Sequence, residues 1–187
     1  MKKKDRDILI ASVAGGALVV AGIAASIYFK KRRTIPYGVE AVKNFNIKKY
    51  LGKWYEIARL DYRFEKNLDN VTAEYYLNKD GSIKVVNSGY NFKKSEKEES
   101  VGKAIFAGSA DVGMMKVSFG APFYAGYNVI AIDKDYKYAL VSGSTRRNLW
   151  ILSRKTYIPD NIKEDYINKA RTLGFNTDAL IWSEHRD

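Results

Sequence analysis

The chain has 187 residues, 46% of them apolar, a net charge of +11 and no cysteine. That length suits one domain with an appendage, and the missing thiols exclude disulfides, cysteine metal sites, thiol catalysis and acylation on sulfur. The charge does not mark a nucleic-acid binder: residues 1–33 hold 8 Lys/Arg against 2 Asp, and the other 24 basic groups are interspersed with 19 acidic ones.

Ile8 to Phe29 is an uncharged run of 22 residues. As a helix rising ~1.5 Å per residue it reaches about 33 Å, enough for a hydrocarbon core of about 30 Å. Signal-peptide cores are shorter, about 7–15 residues, so the run is expected to be a retained transmembrane anchor, with Ala24, Ala25 and Ser26 keeping cleavage open as the alternative. Lys2, Lys3, Lys4 and Arg6 on one side balance Lys30 to Arg33 on the other, so the positive-inside rule leaves the orientation undecided. Residues 1–33 are therefore assigned to the anchor, 34–42, with Pro36 and Gly38, to a linker, and 43–187 to the soluble domain.

With 14 Tyr, 8 Phe and 3 Trp the soluble part leans towards strands. Eight runs alternate with turn signals: Trp54–Leu60, Val71–Leu77, Ile83–Tyr90, Val101–Ala107, Met115–Phe119, Tyr127–Asp133, Tyr138–Ser142 and Leu149–Arg154. Asn78-Lys79-Asp80-Gly81 marks a hairpin, Lys93–Glu99 a solvated turn, and Pro122 falls between strands. Short links without intervening helices predict an all-β, eight-stranded, antiparallel up-and-down barrel, which removes sheet edges. One C-terminal helix follows, capped by Asp160 or Asn161 and stopped at Gly174. Its stripe of Ile162, Tyr166, Ile167, Ala170 and Leu173 should pack on the outside of the barrel. Ala179–Trp182 reads as a short last strand.

A lead-in helix followed by Gly52-Lys53-Trp54, within YLGKWYEIARL, carries the G-x-W pattern of the lipocalins. RFE at 63–65, VTAEYYLNKDGSIKVVNSGY at 71–90, KVSFGAPFYAGYNVIAID at 116–133 and LWILSR at 149–154 complete an ordered set. Over roughly residues 43–183 the chain resembles the lipocalin family, in the branch of the bacterial outer-membrane lipocalins and apolipoprotein D. The resemblance implies that Gly52, Trp54 and Arg154 are structural, with Trp54 closing the barrel floor and the Arg154 guanidinium stacked across it. It departs from the bacterial relatives in lacking the acylated cysteine, and the second signature is Ala125-Gly126-Tyr127.

Because a strand alternates faces, Trp54 inward places Glu56 and Ala58 inward, and Arg154 places Leu152, Trp150 and Asn148 there. Matching the other strands to the family adds Ala73, Tyr75, Val85, Asn87, Asn128 and Ile130. The expected ligand contacts are thus Ala73, Tyr75, Val85, Asn87, Asn128, Ile130 and Trp150, a mainly apolar wall suited to an acyl chain with its polar head near the mouth. Asn87 and Asn128 are candidates for a lipid head. Phe123, Tyr124 and Tyr127 are expected at the rim.

The expected function is binding and storage or transport of a lipid, a fatty acid or lysophospholipid, in cell-envelope maintenance or stress. The alternative is a membrane-tethered scaffold whose barrel binds a protein. No nucleophile–base set can be assembled, and the single histidine, His185, lies in the tail, so no catalytic residue, metal or cofactor is expected. The partners expected are the lipid and the membrane, in a bacterial envelope with the barrel on the periplasmic side. The sequence leaves the identity of the lipid, the membrane face and the oligomeric state open.

Overall fold

The computed structural model describes residues 33–60, 67–120 and 122–186. The expected transmembrane helix at 8–29, like all of residues 1–32 of the anchor, therefore lies outside the described residues. Among the described residues no helix is long and apolar enough to cross a membrane.

The aromatic and β-branched runs form β1 (Gly52–Leu60), β2 (Leu68–Leu77), β3 (Ile83–Asn91), β4 (Glu96–Phe106), β5 (Met114–Gly120), β6 (Phe123–Ile132), β7 (Tyr138–Ser142), β8 (Leu149–Ser153) and β9 (Leu180–Trp182). They pair antiparallel in the order β2-β3-β4-β5-β6-β7-β8-β1-β9, and β1 also pairs β2. The last pairing closes eight strands into a barrel, as expected from the meander. A four-residue helix α1 (Ile47–Tyr50) precedes β1 and is capped by Asn46, whose Oδ1 accepts from Lys48 N at 3.0 Å. The longer helix α2 (Asp160–Thr172) follows β8.

Two apolar layers result. Inside lie Trp54, Tyr75, Val85, Ala104, Met115, Val129, Ala139, Val141 and Leu152. Outside, Tyr166 and Ala170 of α2, with Ile162, Ile167 and Leu173 beside them, cover Ile57, Ala58, Leu60, Ile130, Leu140, Leu149 and Ile151. The helical stripe read from spacing is thus the packing face. Gly174 at φ +82° ends α2: Phe175 N donates to Ala170 O and Gly174 N to Arg171 O. This is a Schellman stop, in which a glycine tolerates the left-handed turn and an apolar residue beyond it, here buried Phe175, packs back on the helix.

Three local expectations are corrected. α2 has Pro159 at its N-cap, without a side-chain cap; Asp160 lies in the first turn instead, where its charge complements the helix dipole. Lys93–Glu99 is not all turn, since Glu96–Glu99 extend β4 against Ser88–Asn91. Charge reports exposure, and an exposed hairpin pairs its backbone as well as a buried one. Asn91 turns the corner, its Oδ1 accepting from Lys93 N and Lys94 N. Finally, residues 34–42 do not hang free. Pro36 and Val39 are buried, Asn128 Nδ2 donates to Thr34 O at 2.6 Å, and Val42 N donates to Val129 O at 2.9 Å.

Candidate functional site: an open cup with a hydroxylated floor

Residues directly opposite each other in neighbouring strands share a face. Trp54 pairs with Ala73, Ala73 with Asn87 and Asn87 with Ser100, so the aromatic that closes the floor fixes this whole rung as inner wall. The next rung, Gly52–Tyr75–Val85–Gly102, has the same parity. Across the barrel, Val129–Val141–Trp150–Arg59 forms another inner rung. Ala73, Tyr75, Val85, Asn87 and Trp150, all anticipated from the sequence, therefore share the inner face.

Asn128 and Ile130 do not. Asn128 pairs with Ser142, on the opposite parity from the Val129–Val141 rung, and its amide is fully buried against Thr34 O, Ser142 O and Gly143 O. Ile130 sits at a bulge between Val129 and Ala131 and joins the layer beneath α2. A register displaced by one residue reverses every assignment on a strand; the inward residues of β6 are Tyr127 and Val129. A second bulge in β1, between Glu56 and Ala58, turns Ala58 outward and brings Arg59 inward.

That bulge creates a charged pair the alternation would forbid. Glu56 and Arg59 are three residues apart yet face the same side, with Arg59 Nη1 donating to Glu56 Oε1 at 2.5 Å, both almost fully buried. Ser183 Oγ donates to the same carboxylate at 2.6 Å, and Arg59 Nη2 donates to Leu68 O at 3.3 Å. The tail thus seals the seam where β1 and β2 diverge: Ser183 N donates to Ile57 O, Asn70 N to Glu184 O and Arg186 N to Asn70 Oδ1. His185 belongs to this seal, half-buried rather than free in solvent, with its ring edge-on to Tyr55 and Nε2 2.7 Å from Glu56 O.

The floor is held by Arg154. Its guanidinium lies 3.9 Å over the Trp54 ring and donates to the carbonyls of Lys49, Tyr50, Leu51, Lys53 and Tyr136. Trp54 Nε1 donates to Tyr50 O at 2.8 Å, fixing the indole. Gly52, at φ +88°, makes the turn into β1 that a side chain would strain.

Above the floor three tyrosines from distant segments meet. Tyr50 and Tyr127 hydroxyls are 2.6 Å apart, and Tyr75 donates to Tyr127 at 2.7 Å. Burial pushes Tyr50 and Tyr127 well above the usual phenol range, so these groups stay neutral hydroxyls. Tyr127 belongs to this cluster and not to the rim, where Phe123 and Tyr124 do lie exposed.

Packing changes with height. Trp54, Ala104, Met115, Val129 and Ala139 at the closed end are at most 2% exposed. Higher on the same inner face, Ala73, Val117, Tyr127 and Trp150 are only partly buried, and Ser100, Phe119 and Ala125 are exposed. Inward side chains that remain accessible mean that the upper barrel is hollow. Asn87 Oδ1 is buried there without a hydrogen-bond partner. Among the described residues no cluster of His, Cys, Asp or Glu could hold a metal ion.

Of these groups the sequence reading missed Tyr50, Arg59, Ser183 and the inward position of Tyr127. Only the density of tyrosines hinted at the cluster.

A family model described as a lipocalin-like domain matches residues 45–185. Outer membrane lipoprotein Blc of Citrobacter freundii is 47% identical over 174 residues, which is 93% of this chain and 94% of that protein. Apolipoprotein D of Cavia porcellus is 30% identical over 164 residues, 81% of this chain and 80% of that protein. Among solved structures, insecticyanin from the tobacco hornworm Manduca sexta superposes with a TM-score of 0.64 at 21% identity, over 83% of this chain and 88% of that one. That likeness concerns the fold.

Proposed function

The chain belongs to the lipocalin family, binding and transport proteins for small hydrophobic ligands rather than enzymes, and from that premise we propose that its cup holds a single-chain lipid, a fatty acid or lysophospholipid. The observation that supports this reading is the accessible apolar surface of Ala73, Val117, Ala125 and Trp150 on the inner wall above a sealed floor. Burying an acyl chain there releases roughly 0.8 kcal/mol per CH₂ before association costs, so micromolar affinity needs no special chemistry. The relative from Citrobacter is named an outer membrane lipoprotein, which supports work at a cell envelope; the role proposed there is lipid maintenance or stress. This chain has no cysteine to acylate. The uncharged run Ile8–Phe29, flanked by cations, would take over the role of the lipid anchor, with the barrel on the periplasmic side.

The test is titration of the full chain with fatty acids and lysolipids, read by quenching of Trp150, together with a cup-filling Ala73→Phe variant. Saturable quenching that the variant abolishes is expected. No response across chain lengths and head groups would refute the reading and leave a scaffold that binds through its outer surface.

A further inference from the structure

The tyrosine cluster has one proton too many for its own hydrogen bonds. Three phenols bring three O–H groups, and two hydrogen bonds join them, Tyr75 to Tyr127 and Tyr50 with Tyr127. Since Tyr75 donates to Tyr127, the remaining donor belongs to Tyr50 or Tyr127. Tyr50 is fully buried among the rings of Phe45, Trp54 and Tyr75, out of a ligand's reach. Tyr127 is partly accessible on the inner wall. Either hydroxyl of the Tyr50–Tyr127 pair can be the donor. When Tyr50 donates, the Tyr127 oxygen accepts from both neighbours, its own O–H is the one left over on the inner wall, and two incoming donors polarise it further.

The charge at this end of the barrel has the matching sign. Arg154 spends its hydrogen bonds on neutral carbonyls, and among the described residues no carboxylate pairs with it, so its positive charge stands beneath the floor. On the inner wall among the described residues the other cation, Arg59, is already engaged by Glu56. The mouth carries exposed Phe119, Phe123 and Tyr124, which suit a hydrocarbon end, and in the β3–β4 hairpin at the same end Lys94 is engaged by Glu96 and Glu98.

We propose that the cup takes its lipid polar end first, with a terminal carboxylate accepting the Tyr127 hydroxyl hydrogen bond above Arg154 and the methyl end towards the mouth. This rests on the reading of the cup as a lipid site and narrows the ligand to long-chain fatty acids, or single-chain amphiphiles ending in a small anionic acceptor. A carboxylate accepts only, which is what a site offering a lone donor requires. The arrangement reverses the head-at-mouth orientation that wall composition alone suggests.

The test uses the full chain carrying Trp150→Phe and Trp182→Phe, which leaves Trp54 as sole reporter at the floor. Stearic acids bearing a nitroxide near the carboxyl or near the methyl end are titrated in. The carboxyl-proximal nitroxide is expected to quench Trp54 several-fold more strongly at saturation; equal or reversed quenching overturns the proposal while leaving lipid binding intact. If neither probe binds, and the chain with all its tryptophans does not respond either, the lipid reading itself falls. In the otherwise native chain, Tyr127→Phe should weaken stearate binding about tenfold, the equivalent of one hydrogen bond, and leave binding of the alkylamine of equal length unchanged. Unaltered stearate affinity in a folded Tyr127→Phe variant also overturns it.

Discussion

Replacing Arg154 by methionine keeps the unbranched stem of the side chain and removes the fork. Five carbonyls then lose a donor, but not equally. Those of Lys49 and Lys53 lie at the solvent edge, where water replaces the guanidinium, and Tyr50 O keeps Trp54 Nε1. Leu51 O and Tyr136 O are the stranded acceptors, each costing about 1–1.5 kcal/mol. Loss of the cation stacked 3.9 Å over Trp54 adds about 1–2 kcal/mol. The sum is about 3–5 kcal/mol, a large share of the ~5–15 kcal/mol that holds a typical domain. Urea unfolding followed by tryptophan fluorescence, with near-ultraviolet dichroism to report on the indole, measures it. Arg154→Lys keeps the charge but cannot reach several carbonyls at once, so about a third of the loss should return. A cost below about 1 kcal/mol, or complete rescue by lysine, would refute the view that the fork holds the floor.

Two further outcomes follow from buried polar groups. Burial raises Tyr50, Tyr127 and Tyr166 above the ordinary phenol value of 10.0. Their contribution is complete below about pH 10 and is lost as pH rises past it, because unfolded tyrosines ionise there and the buried ones resist; each steepens the decline by up to about 1.4 kcal/mol per pH unit. Urea midpoints between about pH 8 and pH 11 should therefore fall less steeply in a Tyr50→Phe/Tyr127→Phe double variant, and parallel curves would contradict the assignment. For the buried Glu56–Arg59 pair, Glu56→Leu and Arg59→Met should each cost about 3–5 kcal/mol while the double variant returns to within about 1–2 kcal/mol of the native chain. Additive losses in that cycle, read by the same denaturation, would mean that the two side chains act independently.

The barrel was legible because its signals are local. Each strand declares itself by a few aromatic and β-branched residues between turn formers, and Tyr138–Ser142 was bounded to the residue. The α2 stripe, Trp54 and Arg154 were legible in the same way, one through spacing and two through a motif. What failed is what strand alternation does not encode. The bulges at Ile57 and Ile130 carry no glycine or proline, so nothing in the sequence announced the parity change that sends Ala58 outward and Arg59 inward. Asn128 was placed on the cup wall as a polar residue in a strand, whereas the backbone it satisfies lies outside, at Thr34. The hydroxyl cluster joins positions 50, 75 and 127, separations at which no local pattern operates.

Residues Ser183–Arg186, which seal the seam between β1 and β2, leave the ribosome after every strand of the barrel. β1 is the first of the strands made, yet its partners β8 and β9 and this tail follow only after β2 to β7. Until then the growing chain is an open curl whose inner apolar face and β1 edge are both uncovered, a state exposed to aggregation. Its closing contacts span nearly the whole domain, which places the step among the slow ones in folding. The order of translation therefore makes the barrel a container only after this tail has been made, and any lipid it holds must enter a barrel that is already closed.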